Sequence, residues 1–244
     1  SFLLKILAAC AVLFLNIIVS RLLGAEQSGY YFLAITIITV LATLSRMGYD
    51  PVVLRLVSAH ASKNNWCFVN GVYTTVNVRV LFVLLTVSIL LFFAAPFLSE
   101  NVFNKPLLTD PLKYMSFGVF FLGLTLLHGK FFQGLKKVGM LQFCQNLGVS
   151  LLLSVFLLFF LLRRDALNVE DIAILHIVAS GLIALIAVFF WWVRCHSRWN
   201  FVFDPSGLWH SALPMWGVAS LSMLMMWGVP LFLGFWAKSE DAAI

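Results

Sequence analysis

Charged side chains are scarce in this chain of 244 residues, where Asp, Glu, Lys and Arg make up 11% and hydrophobic residues 62%. The mean hydropathy is +1.00. A soluble domain carries about 25% charged residues, so this composition cannot cover a globule with a surface compatible with water. It predicts a protein whose solvent is the lipid bilayer, where only helices or closed barrels satisfy every backbone N–H and C=O group.

The apolar segments also lack the apolar–polar alternation that transmembrane strands show. They are long, continuous and rich in Leu and Phe. Helices that cross a hydrocarbon core of about 30 Å need about 20 such residues each. We therefore predict an all-α fold, a polytopic transmembrane helix bundle.

Several kinds of chemistry lack the residues that they need. The four cysteines are widely spaced, with no C-x-x-C pair and no His at metal-ligand spacing, so we expect no structural metal, disulfide framework or cofactor. The absence of a Gly-rich phosphate loop, a G-x-S-x-G motif and paired carboxylates argues against an enzyme. The net charge of +6 does not indicate a nucleic-acid partner, because the basic residues lie between apolar runs, as the loop charges of membrane proteins do.

The hydropathy pattern predicts seven membrane spans and one interfacial segment. The spans cover residues 2–23, 29–48, 71–98, 111–132, 139–162, 171–193 and 207–236. The moderately amphipathic stretch 52–63 is expected to lie along the membrane interface. Asp110 and Pro111 are typical of an N-cap and a first-turn proline for the fourth span.

Lys and Arg are more frequent at one set of helix ends than at the other, which predicts a cytoplasmic N-terminus; the inverse orientation is the alternative. Neither end of the sequence resembles a natural terminus, so we expect a piece of a longer protein. Residues 1–206 would then form an N-terminal six-helix transmembrane lobe. Residues 207–244 would hold the first helix of a second, truncated lobe.

Three arginines fall inside the predicted spans, whereas no acidic residue lies in the middle of one. Arg21 is near the outer end of the first span, Arg46 near the inner end of the second, and Arg79 inside the third. A charge at the bilayer centre costs roughly 2.5–3.5 kcal/mol on insertion scales, so each needs a reason. A lumen with cations suits an anionic cargo; the alternative is that the side chains reach the headgroups and do nothing further.

Uncharged polar residues recur at helical spacing on several spans. At about 100° per residue, Thr39 and Thr43 share one arc of the second span, Gln142 and Asn146 step by four along the fifth, and Asn16 lies on the first. Such stripes face either a wet cavity or neighbouring helices, where polar side chains join one helix to another. We predict these five residues as contacts for a polar substrate and keep helix–helix bonding as the alternative.

Short motifs in the sequence resemble polysaccharide transporters. This group includes the O-antigen and related lipid-linked oligosaccharide flippases of the multidrug/oligosaccharidyl-lipid/polysaccharide exporter superfamily. The motifs are Ser20-Arg21-Leu22-Leu23-Gly24, Ser28-Gly29-Tyr30-Tyr31, Leu54-Arg55-Leu56-Val57-Ser58, Phe132-Gln133-Gly134-Leu135, and Leu213-Pro214 with Gly228 to Gly234.

The resemblance implies two six-helix lobes around a central cavity that opens alternately to either side of a bacterial inner membrane. It implies a cargo of undecaprenyl-diphosphate-linked oligosaccharide, moved from the cytoplasmic to the periplasmic leaflet, with membrane lipid, a polysaccharide polymerase and a chain-length regulator as partners. Arg21 matches a cavity arginine of the related peptidoglycan-precursor flippase, which makes it a candidate for the diphosphate, with Arg46 and Arg79. The alternatives are an ion-coupled multidrug exporter of the same superfamily and a membrane-embedded polysaccharide polymerase or ligase.

Overall fold

The computed structural model describes residues 2–163, 167–195 and 208–236. In these ranges the regular structure is helical, as predicted. The principal helices are α1 (Phe2–Leu44), α2 (Tyr49–Ala61), α3 (Trp66–Phe97), α4 (Thr109–Gly134), α5 (Val138–Gln142), α6 (Gly148–Arg163), α7 (Val169–Cys195) and α8 (Leu208–Trp236). Short helical turns at Leu98–Val102 and Pro106–Leu108 connect α3 to α4, and a π-helical turn at Phe143–Leu147 joins α5 to α6.

Gly24 reverses the direction of the chain inside α1. Its backbone (φ 74°, ψ 178°) is non-helical and lies in a region essentially confined to glycine. A straight helix would hold Val12 and Thr39 about 40 Å apart, at 1.5 Å per residue, yet both line one internal cavity. α1 therefore consists of two arms that fold back on each other, and these arms correspond to the first two predicted spans.

The prediction of a multi-pass membrane bundle is confirmed by six helices that are long and apolar enough to cross a bilayer. Because α1 folds back, they provide seven crossings in the part of the chain that the structure describes. Large apolar side chains such as Phe82, Phe93 and Leu162 lie on the outer surface, where lipid is the natural neighbour. Residues 196–207, between the sixth and seventh predicted spans, and the residues after 236 lie outside the described ranges.

Two details at the helix ends differ from the sequence prediction. α4 begins at Thr109 with Leu108 at the N-cap, so the prediction of Asp110 as the N-cap is wrong. Asp110 lies in the first turn, where carboxylates are favoured by the helix dipole, and its carboxylate is 3.4 Å from Lys113 Nζ. α3 begins at Trp66, before the predicted start of the third span at residue 71. The Asn65 side chain caps it by accepting a hydrogen bond from the Phe68 backbone N–H.

α4 forms the centre of the bundle and packs on α1, α2, α3 and α7. A polar aromatic cluster lies between α3, α4 and α7. His128 Nδ1 donates to the Leu124 carbonyl at 2.9 Å, so Nε2 of the neutral ring accepts from Tyr73 Oη at 3.0 Å. The Tyr73 ring stacks on Trp191 with centroids 4.7 Å apart. His128 is therefore a satisfied core residue that ties two helices together.

Candidate functional site

A cavity of about 550 Å³ opens between the two arms of α1, α4, the α5–α6 segment, α7 and α8. Most of the lining is apolar and includes Leu122 and Leu126 of α4. The polar part of the lining, called the polar wall below, carries no charge. Its polar lining residues are Asn16, Tyr31, Thr36, Thr39, Gln145, Asn146, Ser150 and His176.

The fold-back at Gly24 brings polar residues of the two α1 arms to one cavity. Asn16 comes from the first arm, and Thr36 and Thr39 come from the second. The threonine hydroxyls donate to the carbonyls of Phe32 (2.8 Å) and Ile35 (2.7 Å) one turn earlier. Because their protons are used within the helix, both hydroxyl oxygens face the cavity as acceptors.

The π-helical turn Phe143–Leu147 determines which amides of the fifth span face the cavity. A π turn closes hydrogen bonds from i to i+5 and inserts an extra residue into the helix. Gln145 and Asn146, adjacent in sequence, both line the cavity, whereas Gln142 is buried elsewhere. The predicted stripe with a spacing of four residues is therefore broken between Gln142 and Asn146.

Three cavity amides, those of Asn16, Gln145 and Asn146, make no hydrogen bond to another residue of the described chain. An amide buried away from water without a partner costs about 1–3 kcal/mol. Asn16 and Asn146 are exposed and Gln145 is partly exposed in the cavity, so water or a polar ligand there would satisfy them. Each carboxamide offers two donors and one acceptor oxygen, which suits a ligand with many hydroxyl groups.

Aromatic side chains from three helices complete the polar wall. Tyr31 of α1 and His176 of α7 are joined by a hydrogen bond of 2.9 Å between Tyr31 Oη and His176 Nδ1. The two rings meet edge to face, with centroids 6.0 Å apart. Trp227 of α8 lines the same cavity, so flat apolar ring surfaces lie beside the amides.

Of the five residues predicted to contact a polar substrate, the structure brings three together in this cavity. Asn16, Thr39 and Asn146 line it, although they are far apart in sequence. Thr43 lies further along α1, where its Oγ1 accepts from Arg46 Nη2 at 3.1 Å. Gln142 is buried outside the cavity. Substrate contact itself stays a prediction for all five.

The three predicted arginines do not line this cavity. Arg46 is buried at the end of α1, where it forms an ion pair with Asp50 at the start of α2. Arg79 Nη1 donates to Tyr49 Oη at 3.3 Å. Arg21 is exposed on the first arm, about 140° around the helix from Asn16 at 3.6 residues per turn.

Sequence reasoning did not select Tyr31, Gln145, His176 and Trp227 as site residues. His176 is both packed against Tyr31 and part of the cavity wall. Gln145 lies beside the predicted stripe, and the structure places it in the cavity. The aromatic residues carry no distinguishing signal in a chain with 8 Trp and 24 Phe.

The lining offers a ligand hydrogen bonds and apolar contact. The cavity residues include no Asp, Glu, Lys or Arg, and the described ranges hold no group of three His, Cys, Asp or Glu residues that could bind a metal ion. The wall can hydrogen-bond hydroxyls and amides and stack against flat or apolar faces of a ligand.

The whole sequence, residues 1–244, matches the model of a family described as polysaccharide biosynthesis protein. Among solved structures, the MATE multidrug transporter DinF-BH, solved in complex with a ligand, is similar, with a TM-score of 0.65 and 16% sequence identity. The match covers 100% of this chain and 58% of that transporter, so the chain spans less than two thirds of its length. A search of curated proteins gave no match.

Proposed function

Because the chain belongs to the polysaccharide biosynthesis protein family and has the fold of a multidrug transporter, we propose that it is part of a flippase for a lipid-linked oligosaccharide. The cargo is an undecaprenyl-diphosphate-linked repeat unit of a surface polysaccharide such as O-antigen. The protein moves it from the cytoplasmic to the periplasmic leaflet of a bacterial inner membrane by alternating access. Residues 1–206 provide the first lobe and residues 207–244 begin the second.

The polar wall of the cavity is the observation that carries the proposal. Sugars present many hydroxyl groups and have apolar ring faces. The amides of Asn16, Gln145 and Asn146 supply donors and acceptors, and the ring of Trp227 supplies a stacking surface. A wall with these groups and no charge matches the glycan part of the cargo, while the lipid tail stays in the bilayer.

The diphosphate needs cationic ligands, for which Arg21, Arg46 and Arg79 are the candidates in this chain. Arginine binds phosphate through paired, charge-assisted hydrogen bonds. The ion pair with Asp50 makes Arg46 the least favourable of the three, because its charge is already balanced. An inside-negative potential helps the outward movement of anionic charge by about 2.3 kcal/mol per charge for each 100 mV.

Deletion and complementation test the proposed transport. The gene is deleted in its host, and labelled lipid-linked glycan is followed with and without the full-length gene on a plasmid. We expect unflipped glycan to accumulate in the cytoplasmic leaflet and surface polysaccharide to disappear. If glycan still reaches the outer leaflet but is not polymerised or attached, the protein is instead a polymerase or ligase of the pathway, and the transport proposal fails.

The glycan site is tested separately in the complemented strain. Asn146→Ala removes a cavity amide, and Asn101→Ala removes an exposed amide outside the cavity. A neutral hydrogen bond contributes about 1 kcal/mol, so we expect Asn146→Ala to lower the transport rate about fivefold and Asn101→Ala to leave it unchanged. Equal rates for the two variants would contradict a glycan site at the polar wall.

An ion-coupled multidrug exporter is the second candidate, and the similarity of the fold to a multidrug transporter favours it. Export of a cationic dye from cells that express the full-length protein would support it. The cavity lining offers no carboxylate to a cation, which makes this candidate weaker.

A polymerase and a chain-length regulator would receive the flipped glycan as downstream partners under the first proposal.

A further inference from the structure

A second cavity, of about 380 Å³, lies between the end of α1, the middle of α3 and the start of α8. Leu41, Leu44, Val83, Val87 and Leu213 form much of its lining. The one lining hydroxyl, that of Ser45, donates to the Leu41 carbonyl at 2.6 Å. This space, called the α1–α3–α8 groove below, therefore offers a ligand almost nothing except apolar contact.

Two contacts hold α8 against α1 beside the groove and keep its width fixed. Trp216 Nε1 donates to the Leu44 carbonyl at 2.9 Å, one of the carbonyls that the end of a helix leaves unpaired. Gly48 meets the backbone of α8 so closely that a Cβ at this position would overlap with Ala212 and Trp216. Neither helix can move inward to fill the space without breaking these contacts.

A guanidinium group lies at one end of the groove. Arg79 precedes Val83 by one turn and Val87 by two turns, so the three residues share a face of α3. Arg79 also contacts Tyr49, which follows the groove residue Met47 by two positions. Residues 80–97 contain no charged side chain, and the contact with Tyr49 places Arg79 level with the turn that ends the second arm of α1. On this basis we place Arg79 at the membrane interface and the two valines in the hydrocarbon layer.

We propose that the α1–α3–α8 groove binds one acyl chain of an anionic phospholipid, with the phosphate held by Arg79. The guanidinium has five donors in a planar fork, a geometry that can serve Tyr49 and a phosphate together, and it pairs with phosphate through charge-assisted bonds. Arginine at the interface and apolar side chains below it match the order of phosphate and acyl chain in a lipid. This site is distinct from the polar cavity; if Arg79 holds a phospholipid, Arg21 and Arg46 remain as the candidates for the diphosphate of the proposed cargo.

The size of the groove favours an acyl chain over other occupants. A water molecule takes up about 30 Å³ in the liquid, and a methylene group is of similar size, so about a dozen methylene groups fit. The prenyl chain of the proposed cargo has several times more carbon atoms. A helix about 10 Å across would fill the same volume with roughly one turn, too little for a stable helix–helix contact.

Native mass spectrometry of the purified full-length protein tests the site. The probes are palmitoyl-oleoyl phosphatidylglycerol and the diacylglycerol with the same chains, which lacks the phosphate, each added to delipidated protein. We expect one phosphatidylglycerol per chain to be retained, about tenfold more strongly than the diacylglycerol, which is the contribution of one charge-assisted hydrogen bond. Equal retention of the two lipids by the wild-type protein would overturn the assignment of the phosphate to Arg79.

Three variants separate the headgroup from the chain. Arg79→Gln should remove the preference for phosphatidylglycerol, and Arg79→Lys should keep part of it. Val83→Phe should reduce retention of both lipids by filling the groove. The matched controls are Arg55→Gln, an exposed arginine on α2, and Val78→Phe, an exposed valine on another face of α3; both should bind as the wild type does.

Wild-type binding by both Arg79→Gln and Val83→Phe would overturn the proposal, and it is also the result expected if another helix of the chain or a second copy covers the groove.

A fluorescence measurement keeps the test decisive if Val83→Phe does not fold. Phosphatidylglycerol with brominated acyl chains should quench the tryptophan fluorescence of the wild-type protein more than that of Trp209→Phe, because Trp209 lines the groove. The control Trp192→Phe, which removes an exposed tryptophan of α7, should be quenched as strongly as the wild type. Equal loss of quenching in the two variants contradicts a chain in the groove.

Discussion

Gly48 is the residue at which the turn between α1 and α2 meets the backbone of α8. Its φ of 69° disfavours any residue with a Cβ, at a cost of roughly 1–2 kcal/mol. A Cβ would also overlap with Ala212 and Trp216 and lie 2.9 Å from the Met215 carbonyl carbon. These are backbone atoms, which cannot rotate away as the end of a side chain can.

We therefore expect Gly48→Ala to destabilise the full-length protein by more than about 2 kcal/mol, measured as a lower midpoint of thermal unfolding in detergent. Gly24→Ala should cost less, because its positive φ is strained but its Cβ would meet open space. Gly139→Ala, with open space and no positive φ, is the control and should be neutral. If Gly48→Ala unfolds at the same temperature as Gly139→Ala, α8 does not contact the turn in the protein.

Arg46 has two competing explanations, a ligand for the diphosphate and a structural partner of Asp50. Breaking a buried pair leaves an unbalanced charge, which costs roughly 3–5 kcal/mol when fully buried and less here because the Asp50 side chain is 23% exposed. Under the structural explanation, Arg46→Gln lowers the unfolding temperature and the double variant with Asp50→Asn recovers much of the loss.

Transport and stability together separate the two roles of Arg46. A ligand for the diphosphate predicts that Arg46→Gln folds normally and transports poorly, with no rescue by Asp50→Asn. The sequence could not decide between the two roles, because Gly48 and Pro51 suggested that Asp50 lay beyond a helix end. In the structure a tight turn at residues 45–48 places Asp50 in the first turn of α2, within reach of Arg46.

At the scale of the element, the predicted spans agree with the helices because long apolar runs have no other stable form in lipid. The hairpin in α1 was also predictable, since Gly24 and the polar residues after it interrupt the run. The π turn at Phe143–Leu147 was not, because its extra residue carries no compositional signal. It is stabilised by packing in the folded bundle, where Gly148 lies against Ile183 of α7.

This turn supports a prediction that discriminates between two registers of the fifth span. A regular α-helix would place Gln142, Asn146 and Ser150 on one face with Gln145 beside them, whereas in the structure Gln145 lines the cavity and Gln142 does not. Under the proposed function, we expect Gln145→Ala to lower the rate of glycan transport several-fold, as expected for about 1 kcal/mol, and Gln142→Ala to lower it less. The reverse order in the complementation assay would support the regular helix.

At the scale of the whole molecule, the sequence could predict polar stripes on separate spans but not which of them meet. Asn16, Thr39 and Asn146 share a cavity because α1 folds back and the α5–α6 segment packs beside it. Gln142 and Thr43 carry the same sequence signal and lie elsewhere. Periodicity fixes a face of one helix, whereas the neighbour of that face depends on how all the helices pack.

Membrane orientation is the last prediction. α4 has 26 residues, about 39 Å at 1.5 Å per residue, enough to cross a hydrocarbon core of about 30 Å. Leu107 before it and Lys137 after it are both exposed and must lie on opposite sides. Because Lys and Arg favour the cytoplasmic side, Lys136 and Lys137 should face the cytoplasm.

In a full-length protein without its native cysteines, an impermeant maleimide added to intact cells should label Leu107→Cys and not Lys137→Cys. The opposite pattern would establish the inverse orientation, and labelling of both would mean that α4 does not cross the membrane.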